Sequence, residues 1–296
     1  MTIPRVAFGR HCISRLVVGG NQIRGNSHLS PELNRQMAEY FTTENVLAAW
    51  FEAERQGINA MQSRGDAIVM DWVDRYRDAG GTMQWIVQTA SEWKGGDVPD
   101  NIRTIAEHNP IAIYHHGSRT DSLWKEGRID VIEDHIKQIH DLGIVAGIGS
   151  HMPEVFEYIE DRGWDVDFYM TAAYNLSRVN RESALAGGTM GVEIYDDADR
   201  DRMLGVIRQT EKQCIYFKIL AAGRACANQD TVRDAFRHAF THIKPNDVVD
   251  VGFFQRDCNE IALNAEHVRV VLDEIASGNG ESHETLRNAV SEEVGG

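Results

Sequence analysis

Gly143-Ile144-Val145-Ala146-Gly147-Ile148-Gly149-Ser150-His151 is a short apolar run between glycines that stops abruptly at two polar side chains able to do chemistry. So short a run, with little polar alternation, is what a strand buried on both faces looks like. The same pattern recurs on either side of it. Upstream, 111–114 runs into His115 and His116, and 85–87 into Gln88 and Thr89. Further back, 58–60 runs into Gln62, Arg64 and Asp66, and 16–18 into Gly19, Gly20 and Asn21. Downstream, 168–170 runs into Tyr174 and Asn175. The run at 215–220, with Lys218 inside it, leads to Arg224, and 248–254 leads to Gln255, Arg256 and Asp257. Eight such segments match the strand count of a parallel barrel, whose C-terminal strand ends surround one mouth where the chemistry sits.

The stretches between these segments carry helical periodicity. Val46, Leu47, Trp50 and Phe51 share one face of a helix expected at 43–56, with Thr43 as N-cap and Gly57 as stop. Further helices are expected at 67–78, 131–142, 153–160, 199–211, 230–239 and 258–276. Pro153 suits a first helical turn because its missing N–H has no partner to lose there. Strand and helix in regular alternation imply parallel strands joined by right-handed crossovers. An open doubly wound sheet is the rival, but no Gly-x-Gly-x-x-Gly follows an early strand. The reading is therefore an α/β chain forming a single (β/α)8 TIM barrel over 1–276, with a polar C-terminal tail at 277–296. Two excursions, 22–41 and 175–197, are long for connections in a compact domain. The first holds Arg24, Asn26, Ser27 and His28, and the second Arg178, Arg181 and Glu193. Both leave the C-terminal side of a strand, so both are expected over the same mouth.

The 296 residues carry a net charge of −15, a field that repels nucleic-acid backbones and anionic membranes. No stretch reaches the roughly 20 apolar residues of a membrane span. The N-terminal residues lack the apolar core of a secretory signal. Cys12, Cys214, Cys226 and Cys258 stand far apart, without disulfide or zinc spacing, as suits reduced thiols in the cytoplasm. The expected partner is a small molecule, taken by either a monomer or an oligomer.

Several stretches resemble aldo-keto reductases. The opening Arg-Val-Ala-Phe-Gly-Arg-His-Cys-Ile-Ser-Arg at 5–15 is similar to the short hairpin that plugs the barrel floor in that family. The segments at 52–63, 111–117, 143–151, 167–175 and 251–269 resemble its later strands and its last helix. The resemblance implies the barrel with a short N-terminal hairpin, and a catalytic tetrad of Asp, Tyr, Lys and His. Here Gln62 stands where the Asp closes the second strand, and no Tyr follows it. Gln88 stands where the Lys closes the third, and only the His persists, as His116 or its neighbour His115. Glutamine does not ionise, so it can neither donate the proton nor tune a donor. The resemblance also implies an adenosine site for NADP, loosely matched by Arg256, Glu260 and Asn264, and an aromatic, Tyr174, that would stack on nicotinamide.

Among the residues themselves, His115 and His116 point to opposite faces of a strand, and His116, nearer the end, is the one expected at the mouth. His151 is expected to meet it across a corner. The two would act as acid and base, or would hold a divalent metal with Asp66, Glu193 or His28. A lysine within an apolar strand is costly unless paired or functional. Lys218 is therefore expected to form a Schiff base, stabilise an enolate or bind a carboxylate, with an ion pair to an acid such as Asp167 as the plain alternative. Gln62, Arg64, Asp66, Gln88, His115, Tyr174, Asn175 and Arg224 are expected to bind substrate. The function expected is a non-redox enzyme, a lyase, epimerase or isomerase, acting on a small polyhydroxylated or carboxylated carbonyl compound. A nicotinamide-dependent oxidoreductase with a rearranged tetrad is the first alternative, and a non-catalytic ligand-binding barrel the second.

Overall fold

The computed structural model describes residues 2–178 and 193–278. Arg5–Phe8 (β1) and His11–Ser14 (β2) form an antiparallel hairpin that turns through Gly9 at φ +54°. Eight parallel strands then close a barrel. They are Leu16–Val18 (β3), Ala60–Arg64 (β4), Gln84–Gln88 (β5), Ala112–His115 (β6), Val145–Ser150 (β7), Phe168–Ala172 (β8), Gln213–Phe217 (β9) and Val248–Val251 (β10), with β10 pairing back onto β3. Ten α-helices are described: Pro31–Tyr40 (α1), Thr43–Arg55 (α2), Ala67–Asp78 (α3), Val98–Glu107 (α4), Gly117–Lys125 (α5), Val131–Asp141 (α6), Pro153–Arg162 (α7), Asp197–Gln209 (α8), Gln229–His242 (α9) and Glu260–Ala276 (α10).

Strand alternation divides the core in two. Val17, Ala60, Ile86, Ala112, Phe168, Ile215 and Val248 point inward and meet Phe8 and Ile13 of the hairpin, which closes the floor. Phe8 packs edge-on against Phe168 with ring centroids 4.9 Å apart. The alternate positions, such as Val18, Met61, Trp85, Val87, Ile113, Tyr169 and Tyr216, point outward to the helices. One apolar floor and one apolar jacket leave the upper interior as the place where polar groups can collect.

The differences from the sequence expectation are local. Gln62 and Arg64 lie within β4, because the barrel interior is polar at that height. β9 stops at Phe217, so Lys218 stands just beyond the strand, half-buried, at φ +65°. A non-glycine residue in the left-handed region is uncommon and carries backbone strain. The first expected long loop contains α1, capped by Ser30 on the backbone of Leu33. Helices α4 and α5 have no counterpart in the expected set: α5 starts directly at the strand end with the polar run Gly-Ser-Arg-Thr-Asp. Thr42, not Thr43, caps α2. Among the described residues no helix is long and apolar enough to cross a membrane. Arg181 and most of the expected C-terminal tail lie outside the described residues.

Candidate active site

Two residues above the floor, the inward positions turn polar. Gln62 Nε2 donates to the Tyr114 hydroxyl at 2.7 Å, and that hydroxyl donates to Gln88 Oε1 at 3.0 Å. A phenol on the fourth barrel strand thus sits between the two glutamines. Burial pushes the Tyr114 phenol well above its ordinary range, with Asp250 adding to the effect. It therefore serves as a neutral donor at physiological pH and not as a phenolate.

Asp250 completes this layer from β10. It is only 7% exposed, and its Oδ1 is buried without a hydrogen-bond partner. Burial pushes its carboxyl up to about 8, with the charge of Lys218 opposing. The neighbouring chain is built around it: a Cβ on Gly19 would lie 2.8 Å from Oδ1, so only glycine fits there without displacing the carboxyl. Asp250 is not among the residues expected from the sequence, because it lies inside a strand and not after one. The available signal was the charge inside Val-Val-Asp-Val, since a buried acid without a partner needs an explanation.

Asp250 and Gln62 line a cavity of about 240 Å³ together with Lys218, Phe217, His28 and Glu260. It runs past the C-terminal ends of β9, β10, β3 and β4. Glu260 accepts from the Phe254 backbone N–H at 2.6 Å, and burial raises its carboxyl as well.

His116 and His151 directly follow other strands, β6 and β7, and do not line this cavity. His151 is buried, and its Nδ1 lies 2.8 Å from Asp121 on α5. Asp121 also accepts from the Ser150 hydroxyl at 2.6 Å, from the Ser177 hydroxyl and from the His151 backbone N–H. Burial opposes its ionisation, but these bonds and the His151 charge win and hold the carboxyl below its ordinary value. The His151 ring packs edge-on against Phe217 at 5.9 Å, so one phenyl ring touches both the imidazole and the cavity. His116 is half-buried at the start of α5, with its N–H on Thr89 and its Nδ1 3.4 Å from Ser91.

His115 is corrected from a substrate-binding residue to an outward one. Its ring bonds Thr120 at 2.8 Å and stacks on His135 of α6 with centroids 5.4 Å apart. Burial, then the nearby His135 and Arg119, hold His115 well below the ordinary imidazole value. The unfolded chain thus binds a proton below pH 6.5 that folded His115 refuses, so stability falls as pH drops beneath that value. We expect His115→Leu to lessen the fall of urea-unfolding stability below pH 6.5, removing a slope of at most about 1.4 kcal/mol per pH unit.

Arg64 and Asp66 are also engaged differently from expectation. Arg64 is buried, bonded to Glu92 and 3.7 Å from Asp66. Asp66 caps α3 and binds Arg24 at 3.0 Å. Desolvation lowers the Arg64 guanidinium to about 10, which leaves it charged at neutral pH. Tyr174 is buried against Tyr195 with ring centroids 5.0 Å apart, and Asn175 bonds Asp199 and Ser177 to shape the turn after β8. Arg224 lies over the Tyr195 ring at 4.1 Å and donates to the His28 carbonyl at 3.2 Å. His28 in turn meets Glu193 at 2.7 Å, so residues of the two long excursions do touch.

Among the described residues no group of three His, Cys, Asp or Glu side chains is placed to hold a metal ion. The dinucleotide implied by the reductase resemblance fits poorly. Arg256 is bound to Asp257 and Gln36 at the surface, and Asn264 is buried on α10. The cavity wall carries two carboxyls, Asp250 and Glu260, against one cation, Lys218, whereas a pyrophosphate calls for several cations or N–H donors.

No protein-family model matches the chain, and no curated protein matches its sequence. Solved structures do. The aldo-keto reductase AKR11C1 from Bacillus halodurans, in its holo form, is 11% identical with a TM-score of 0.57, covering 92% of this chain and 96% of its own. Gox0644, in its apo form, is 8% identical with a TM-score of 0.57, covering 92% and 93%. A truncated 3-deoxy-D-arabino-heptulosonate 7-phosphate synthase from Thermotoga maritima is 10% identical with a TM-score of 0.55, covering 94% of both chains. At such identities the likeness is one of fold alone: the chain is a closed (β/α)8 barrel that shares its architecture with aldo-keto reductases and with other barrel proteins.

Proposed function

We propose that the protein is a non-redox enzyme that moves a proton next to the carbonyl of a small polyhydroxylated compound, as an isomerase, epimerase or lyase. The observation that carries this reading is Asp250, a buried carboxyl at the barrel mouth with one unpartnered oxygen, poised at about 8 beside Lys218. A carboxyl so placed is matched to general-base work near neutral pH. In this scheme Asp250 takes the proton and Lys218 balances the charge that develops on the carbonyl oxygen. Gln62, at the cavity wall, offers amide groups to a hydroxyl, and the phenol and Gln88 behind it hold that amide in place. His151, held by Asp121, supplies a second acid–base group on the far side of Phe217, and His116, after β6, is a further candidate.

Reductase chemistry is disfavoured by the glutamines and by the two carboxyls on the wall. The test is exchange. Incubated in deuterium oxide with dihydroxyacetone, glyceraldehyde and four- to six-carbon ketoses, the enzyme should wash deuterium into the carbon next to the carbonyl, as read by proton NMR. Absence of exchange across that panel, with tight NADPH binding in a fluorescence titration, would replace this reading by the oxidoreductase one.

A further inference from the structure

Lys218 has an unusual setting for a lysine at a strand end. Its backbone is held left-handed at φ +65°, immediately after β9, and Ala221 and Ala222 repeat the positive φ at 48° and 53°. This sharp path follows the register that pairs Phe217 with Asp250 and returns the residue to the cavity that Asp250 also lines. Strain of this kind clusters where a side chain must be presented in one direction. Three other lysines have plainer company. Lys94 pairs with Asp100 at 2.7 Å, Lys125 donates to the Ser177 carbonyl, and Lys244 pairs with Asp247 at 3.0 Å.

From the shared cavity, the left-handed backbone and the unpartnered Asp250 oxygen, we infer that Lys218 is a nucleophile that forms an imine with an aldehyde or ketone substrate. The inference rests on the proposed carbonyl chemistry and names its covalent step. The Asp250 carboxylate takes one proton from the Lys218 ammonium, and the amine attacks the carbonyl carbon, forming the N–C bond. The attacking nitrogen passes a second proton to the alkoxide oxygen, giving a carbinolamine. Asp250 then returns its proton to that hydroxyl, the C–O bond breaks and the oxygen leaves as water. The carbonyl compound and the ammonium thus become a protonated imine and one water molecule, the carboxylate is restored, and no oxidant or reductant is needed. A carboxyl raised to about 8 takes a proton from an ammonium far more readily than an ordinary aspartate does. The imine is an electron sink. With it, Asp250 can take a proton from the adjacent carbon or from a β-hydroxyl, the latter breaking a carbon–carbon bond. The substrate class is then a β-hydroxy aldehyde or ketone, and the reaction a reversible aldol cleavage.

The test uses the intact chain and borohydride. The protein is incubated separately with dihydroxyacetone, hydroxyacetone and pyruvate, reduced with sodium borohydride, digested and mapped by mass spectrometry. The expected result is a reduced adduct on Lys218 at least tenfold above that on Lys94, Lys125 or Lys244, lost in Lys218→Arg and lowered in Asp250→Asn. Circular dichroism identifies any variant that has failed to fold, and the labelling ratio in the native chain needs no variant at all. Labelling spread evenly over the lysines, or absent while deuterium exchange persists, overturns the imine and leaves the proton-transfer reading standing. Absence of both exchange and adduct overturns both.

Discussion

Asp250→Asn should abolish deuterium exchange, by roughly 10²–10⁴-fold, while making the protein more stable at alkaline pH. The two effects share one cause. In the folded state the carboxyl is buried, lacks a partner on one oxygen and titrates at about 8. In the unfolded chain an aspartate titrates near 3.9. The folded pKa is the higher one, so the stability linked to this group is fully present below about 4. It declines as pH rises and has gone once pH passes the folded value. Above that point the folded state carries an ionised, desolvated carboxylate, at a cost of up to about 5 kcal/mol relative to a neutral side chain. Asparagine keeps the shape and removes the charge, so its advantage in urea unfolding should appear between pH 5 and 9 and grow with pH. The exchange rate of the native protein should climb over the same interval and level off above about 8, because the base must be ionised to act. A variant that loses activity without gaining alkaline stability would mean that Asp250 is not held neutral by its surroundings.

Much of the barrel was legible because its signal is local. Each strand is a short apolar run and each jacket helix a 3.6-residue repeat, so Leu16–Val18 and Ala67–Asp78 fall where periodicity places them. Alternation puts His115 and His116 on opposite faces, and His115, expected among the substrate-binding residues, stacks on His135 outside the barrel. The site was less legible because its polarity is interior. Tyr114 and Asp250 sit within apolar strands, and a reading that looks only past strand ends does not meet them. Lys218 falls inside an apolar run, and hydrophobicity carries no signal of the left-handed turn that ends β9 before it. Arg64 and Asp66 looked like a ligand rim, yet each finds a charged partner that only tertiary structure supplies: Glu92 for the first and Arg24 for the second. His151 is legible as a strand-end imidazole, but the acid that orients it lies 30 residues earlier, on a helix absent from the sequence expectation.

That acid carries the second large effect. Asp121→Ala should destabilise the protein by about 3–5 kcal/mol, the usual cost of stripping one partner from a buried ionic cluster. The carboxylate is 1% exposed and accepts from the Ser150 and Ser177 hydroxyls and from the His151 ring and backbone N–H. All these donors lose their acceptor at once in a place water does not easily reach, and each buried group left unpaired is penalised. Asp121→Asn separates structure from function. The amide retains one acceptor oxygen, so the stability loss should be smaller, but its NH2 can only donate. The His151 Nδ1 facing it must then become an acceptor, which moves the ring proton to Nε2 and reverses the tautomer. Nitrogen-15 NMR of the imidazole reads this directly, as an exchange of the protonated and unprotonated shifts between Nδ1 and Nε2. If His151 works as the acid–base group across Phe217, kcat for exchange should fall at least tenfold with KM little changed, and Asp121→Glu should recover part of it. The native stability of this cluster also has a pH signature opposite to that of Asp250. The folded Asp121 pKa lies below its ordinary value, so its contribution is present above about 4 and is lost as pH falls through the folded value. A tautomer that reverses while exchange continues at its native rate would confine Asp121 and His151 to holding α5 against the barrel.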